Sequence, residues 1–152
     1  MRIRAGIVLI QDGKVALIER HRAGMAYFVF PGGGVDEGES LEQAAVREAM
    51  EELGIEVEIK QKVAEIMLGQ KSRQVYFLVE QVAGEFGTGA GEEYTNSDPS
   101  HAEKGTYIPI WMPIHELPRH TNVYPADVAR LVIDSLKAGW LQDPILSFEE
   151  PK

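Results

Sequence analysis

The chain opens with two apolar runs, residues 3–10 (IRAGIVLI) and 14–19 (KVALIE), broken by Gln11, Asp12 and Gly13. An Asp-Gly pair between such runs suits a turn with two left-handed positions, so the pattern predicts a β-hairpin. A third short strand is predicted over residues 26–30 (AYFVF), and Pro31 with Gly32, Gly33 and Gly34 stops it and opens a loop. Residues 41–53 predict a helix. Ser40 with Gln43 three residues on forms a capping box ahead of it, and Gly54 stands at its end. Residues 55–59 (IEVEI) then alternate with period two, and 63–68 and 75–82 continue the sheet as further strands. Residues 84–105 are rich in Gly, Glu, Ser, Thr and Asn, too polar to pack and long for a plain connection. Residues 107–111 predict a last strand, and 125–138 a closing helix with Pro125 in its first turn and Gly139 beyond its end. The order predicts an α/β protein of the α+β kind, a mixed β-sheet sandwiched between helices.

The central helix carries the chemistry. At about 100° per residue, Glu48, Glu51 and Glu52 share an arc of about 100°, while Ala45, Val46, Ala49, Met50 and Leu53 fill a separate arc of about 140°. One face is expected to pack on the sheet and the other to present three carboxylates. Carboxylates at this spacing repel one another unless a cation lies among them, and hard oxygen donors suit Mg²⁺ or Mn²⁺. A solvated acidic face is the common alternative for such a cluster taken alone.

Composition narrows the setting. With 152 residues and 44% hydrophobic content, the chain suits one domain over residues 1–152. No cysteine is present, which excludes disulfides, thiolate metal sites and a cysteine nucleophile. Fifteen Lys and Arg against 24 Asp and Glu leave a formal charge of −9, against a nucleic-acid duplex or an anionic membrane as partner. The first apolar run is short and lacks a small-residue cleavage pattern, so it is expected to be a strand of a cytoplasmic protein and not a signal peptide. An acidic protein can still bind polyphosphate when divalent cations stand between the two.

Residues 33–55, GGVDEGESLEQAAVREAMEELGI, resemble the Nudix box: G, five residues, E, seven residues, then R-E-U-x-E-E-x-G-U with U bulky and aliphatic. Gly33, Glu39, Arg47, Glu48, Glu51, Glu52 and Gly54 fill every fixed position, and Ile55 fills the last aliphatic one. Only Ala49 is smaller than the pattern prefers, which softens the packing under the helix. Weaker likeness runs through the preceding Phe-Pro-Gly-Gly and the later Trp111 with Glu116 and Leu117. The resemblance implies a Nudix-like fold and a hydrolase that cuts a phosphoanhydride bond in a nucleoside diphosphate-linked compound, with Mg²⁺ as cofactor and Mn²⁺ able to substitute. It implies that Glu48, Glu51, Glu52 and the carbonyl of Gly32 hold the cation, which neutralises the diphosphate and activates the attacking water. Arg47 is expected to hold the glutamates by its planar fork, together with Glu39.

Other residues are weighed against plainer roles. Arg20, His21 and Arg22 end the second strand near the expected cleft; Arg20, with Gly33 and Gly34, is the candidate for phosphate contact, against ordinary surface charge. Tyr27, Phe28 and Phe30 offer aromatic faces to a base, but alternating strand aromatics more often belong to a core. His115 to His120 resembles a zinc helix only superficially, because the histidines stand five apart and Pro118 intervenes. The long polar stretch is expected to bring a further carboxylate to the metal cluster as general base, Glu93 ahead of Glu92. Near the end, Trp140, Leu141, Ile145, Leu146 and Phe148 form an apolar group that docks on the protein's own core or joins two subunits as a homodimer.

No proline lies between Pro31 and Pro99, so the downstream proline associated with ADP-ribose hydrolysis in some Nudix subfamilies is missing. Tyr76 stands several residues too late for the tyrosine of some dinucleoside polyphosphate hydrolases. A nucleoside triphosphate, oxidised forms included, is the favoured substrate and a nucleotide sugar the next. The alternative is a catalytically silent nucleotide-binding or regulatory module, against which the complete box argues.

Overall fold

A computed structural model describes residues 1–88, 106–140 and 143–149. The predicted hairpin joins β1 (Arg2–Gln11) to β2 (Lys14–Arg22), with Asp12 and Gly13 at φ 52° and 74°. Both strands read as continuous apolar runs because both faces of the sheet are covered. Ala5, Ile7 and Leu9 of β1 join Ala16 and Ile18 of β2 on one side, while Val8, Val15 and Leu17 turn to the other. The first side is closed by α1 (Leu41–Leu53) through Ala44, Ala45, Ala49 and Leu53; the second by α2 (Ala126–Ala138) through Val128, Ala129, Leu131 and Val132. A sheet between helices results, as the element order predicted.

The remaining strands are β3 (Met25–Val29), β4 (Gly32–Gly34), β5 (Ile55–Leu68), β6 (Ser72–Gly84), β7 (Thr106–Pro113), β8 (Val123–Tyr124) and β9 (Ile145–Glu149). The main path runs β8-β3-β2-β1-β6-β5-β9, with β4 paired to β1 and β7 to β2. Pairs β1–β6, β3–β8 and β5–β9 are parallel and the others antiparallel, so the sheet is mixed. Among the described residues no helix is long and apolar enough to cross a membrane.

Helix α1 has the predicted bounds. The Ser40 hydroxyl accepts from the Gln43 N–H, the Gln43 side chain accepts from the Ser40 N–H, and Gly54 caps the end in the left-handed conformation. Its buried face differs by one residue from expectation: Met50 is 48% exposed, while Ala44 is buried. Ala49 is fully buried beside Ala45, so this face packs through small side chains.

Three other expectations change. The glycines after Pro31 form strand β4 instead of a loop, pairing Gly34 with Arg4, Gly33 with Ala5 and Gly32 with Gly6. The stretches at 55–59 and 63–68 are one strand, β5, carrying three register shifts against β6. Its first half buries Ile55 and Val57 under α1 and its second half buries Ala64 and Ile66 under α2. Polar Lys60, Gln61 and Lys62 mark the crossing between the two faces and imitate a break in the sequence. Residues 107–111 lie in β7, which is not last, because β8 and β9 follow. Trp140 and Ile145 of the C-terminal apolar group pack against the α2-side core, whereas Leu146 is 58% exposed and Leu141 lies outside the described residues. His115 lies in a six-residue 3-10 helix, Ile114–Arg119, that contains Pro118, and His120 caps its end.

Candidate active site

The site forms where β4 crosses between β1 and the acidic side of α1. A side-chain carbon on Gly32 would stand 2.5 Å from the Ala5 carbonyl oxygen and 2.6 Å from the Gly6 Cα, so only glycine lets these main chains meet. On Gly33 it would stand 2.4 Å from a Glu48 carboxylate oxygen. The box glycine therefore clears the space in which Glu48 lies.

Arg47 organises the neighbouring carboxylates. Its Nε and Nη2 grip the two Glu39 oxygens at 2.8 and 2.9 Å, a bidentate pair. Nη1 donates to Glu48 at 2.9 Å and to Glu51 at 3.2 Å, and Nη2 also donates to the Gly34 carbonyl at 2.9 Å. One guanidinium thus ties the loop before α1, two successive turns of α1, and β4. Glu39 takes two of the five bonds.

Glu39 also accepts from the Asp36 N–H at 3.0 Å. Arg47 first, then that N–H, hold its carboxyl at about 2. A carboxyl lowered in the folded chain binds protons less readily than in the unfolded one, so its stabilisation is whole above about pH 4.5 and is lost as pH falls toward 2. Glu39→Gln is accordingly expected to melt below the parent at pH 7, with the gap closing as the pH falls through that window. Melting curves across the range test this; a constant gap at every pH would contradict it.

Glu52 lies at the floor of the cleft, part-buried, and accepts from the Gly32 N–H at 3.3 Å. Burial first, and then the adjacent Glu48 carboxylate, push its carboxyl well above the usual range. Two carboxyl groups held together away from water need a shared proton or a cation between them. Glu51, half exposed, leans instead toward Arg47. Among the described residues no three acidic or imidazole side chains are yet drawn into one cage. Glu48 and Glu52 supply a converging pair, and Glu51 and the Gly32 backbone border the same cleft. Two carboxylates with a further carboxylate and a carbonyl in reach form a hard oxygen donor set, which fits a divalent cation.

The cleft has a volume of about 420 Å³. Gly32, Gly33, Gly34, Glu48, Glu51, Glu52 and Arg20, all candidates from the sequence, line it together. Arg47 stands outside the lining, behind the carboxylates. Glu92 and Glu93 lie outside the described residues. His21 and Arg22 are exposed, and His21 pairs with Glu19. Phe30 is buried and Phe28 packs against the α2-side core, while Tyr27 meets Tyr124 edge-on at 6.4 Å.

Sequence reasoning missed part of the lining. Arg2 and Arg4 of β1, Gln74 and Tyr76 of β6, and Tyr107 and Tyr124 line the same cleft. The Arg20 guanidinium lies 3.8 Å from the centre of the Tyr107 ring, close enough for a cation–π contact. Arg2 and Arg4 stand two apart on one strand face, the sole local signal; the rest depends on the parallel register that sets Arg4 beside Gln74 and Gly6 beside Tyr76.

Comparison with known proteins bears on the family and the fold. Residues 1–131 match the NUDIX domain. An RNA pyrophosphohydrolase of Caulobacter vibrioides is 54% identical over 56 residues, 36% of this chain and 33% of that protein. Another RNA pyrophosphohydrolase, of Teredinibacter turnerae, is 24% identical over 133 residues, 76% of this chain and 75% of its own. The match to the first of these relatives thus spans about a third of its length. A Nudix hydrolase structure from Nitrosomonas europaea superposes with a TM-score of 0.76 at 18% identity, covering 98% of this chain and 78% of that one, and so shares the fold. With the domain matched over most of its length and every fixed box position filled, this chain belongs to the Nudix family of hydrolases.

Proposed function

We propose that the protein hydrolyses a phosphoanhydride bond in a nucleoside diphosphate-linked compound, with Mg²⁺ as cofactor and Mn²⁺ able to replace it. The carrying observation is a single cleft lined both by the Glu48–Glu52 carboxylate pair and by three arginines, Arg2, Arg4 and Arg20. A protein of net charge −9 that gathers three arginines in one cleft is built to take an anion there. Glu48, Glu51, Glu52 and the Gly32 carbonyl would hold the cation. When bound, that cation supplies charge neutralisation and a more acidic water for attack on phosphorus.

The chain's own groups do the rest. Arg20 and its neighbours orient the diphosphate, and Gly33 and Gly34, lacking side chains, let it approach the strand. Arg47 keeps Glu48 and Glu51 in place. Tyr107 and Tyr124 offer aromatic surface to a base at the far end. The general base remains assigned to Glu93 by sequence order alone, with Glu48 or Glu51 next in turn.

A nucleoside triphosphate, oxidised forms included, is the favoured substrate, because three cationic side chains match a chain of phosphates better than a sugar. Pyrophosphate and a monophosphate would then be released. The likeness to RNA pyrophosphohydrolases favours a second form of the same chemistry, the 5′-triphosphate end of an RNA strand. Release of a nucleoside or RNA 5′-monophosphate, with pyrophosphate or a sugar phosphate as co-product, from nucleoside triphosphates, nucleotide sugars and a 5′-triphosphorylated oligoribonucleotide, with Mg²⁺ and with Mn²⁺, tests the assignment. Turnover is expected to be fastest on a free triphosphate. Fastest turnover on the RNA end or on a sugar nucleotide moves the substrate class, and no turnover on any of them returns the chain to a binding module.

A further inference from the structure

Arg4 sits within the proposed cation site. It reaches from β1 to β4, where its Nη2 donates to the Gly32 carbonyl at 3.2 Å. That carbonyl is the backbone oxygen assigned to the cation. Arg4 also lines the cleft beside Glu52, and its charge favours the ionised form of that carboxyl. A guanidinium hydrogen-bonded to one ligand and attracted to another competes with a divalent cation for both, and it repels that cation as well. It is also the group best shaped to grip a phosphate by two parallel bonds.

We propose that Arg4 couples the two halves of the site, lying on the Gly32 carbonyl while the cleft holds no phosphate and moving onto the phosphate when one enters. Departure of the guanidinium frees the carbonyl lone pair and lowers the repulsion felt by the cation. Phosphate then strengthens cation binding, and by linkage the cation strengthens phosphate binding equally. Arg4 is thus a positioning residue that makes cation loading depend on substrate. The inference rests on the assignment of Glu48, Glu52 and Gly32 to the cation.

Mn²⁺ binding to the full chain, followed by the paramagnetic resonance of the free ion, tests it without turnover. The parent should bind Mn²⁺ weakly alone and about fivefold or more tightly with adenosine 5′-monophosphate present. Arg4→Met should bind Mn²⁺ several-fold more tightly than the parent in the free protein and lose most of the gain from the nucleotide. Arg4→Lys keeps the charge and loses the fork, so it should fall between them. Arg4→Met affinities equal to or weaker than the parent's, with the nucleotide gain intact, would overturn the coupling while leaving the cation site standing. If Glu52→Gln leaves Mn²⁺ binding unchanged, the cation assignment fails and the coupling fails with it.

Discussion

Glu52→Gln is expected to cut turnover about a hundredfold or more, equivalent to roughly 2.7 kcal/mol of lost transition-state stabilisation. The substitution preserves shape, and the glutamine oxygen can still accept from the Gly32 N–H that now meets Glu52 at 3.3 Å. What it removes is the charge at the floor of the cleft. Stability should move the other way. Glu52 is held away from water against the Glu48 carboxylate, an arrangement that costs folding energy when no cation lies between them. In chelator the variant should therefore melt at or above the parent temperature while remaining inactive with saturating Mg²⁺. This pairing separates a ligand role from a structural one, since a residue needed only for packing would lower both. Calorimetric cation binding, turnover and melting of the one variant decide the matter. A parent-like rate, or full parental turnover in chelator, would sink the cation assignment.

The features legible in the sequence are those whose cause is local. The Ser40–Gln43 box, Gly54 and the spacing of the α1 carboxylates all lie within a few turns of each other, and the helix appears with the expected ends. The Asp12–Gly13 turn is equally local. The box itself spans residues 33–55, so its arginine and glutamates could be assigned by position before any contact was seen. Within that span, Glu51 lines the cleft with Glu48 and Glu52 and also pairs with Arg47 four residues before it on the same helix face.

What the sequence hid depends on pairing between distant segments. Arg2 and Arg4 read as ordinary strand ends until β6 lies parallel to β1 and brings Gln74 and Tyr76 alongside. Tyr107 enters the cleft because β7 pairs with β2 and sets it opposite Arg20. The glycines of β4 carry no hydrophobic period, so nothing marks them as a strand; their pairing includes a close approach of Gly32 to β1, which a side chain there would block. Strand β5 misled for a different reason. Its two halves are buried on opposite faces, and a pattern read for one face sees two strands.

Arg47→Lys is expected to lower kcat about ten- to a hundredfold, the range in which groups that orient metal ligands act. Lysine keeps the charge, yet it carries its donors on one nitrogen. Arg47 spreads its own over Glu39, Glu48, Glu51 and the Gly34 carbonyl at 2.8 to 3.2 Å. No single ammonium position reaches all four acceptors, so lysine can keep the strong Glu39 contact only by releasing Glu48 and Glu51, or the reverse. The charge on the carboxylates survives either choice, and cation affinity should therefore fall less than turnover does. The loss is one of geometry: Glu48, freed from Nη1, moves within the space Gly33 leaves open, and a small displacement of a reacting group is costly in rate. Steady-state kinetics set beside cation titration test this directly. A variant with parental kcat would make Arg47 a bystander, and one that loses cation binding in full proportion to its rate would make it a charge partner instead of a positioning residue.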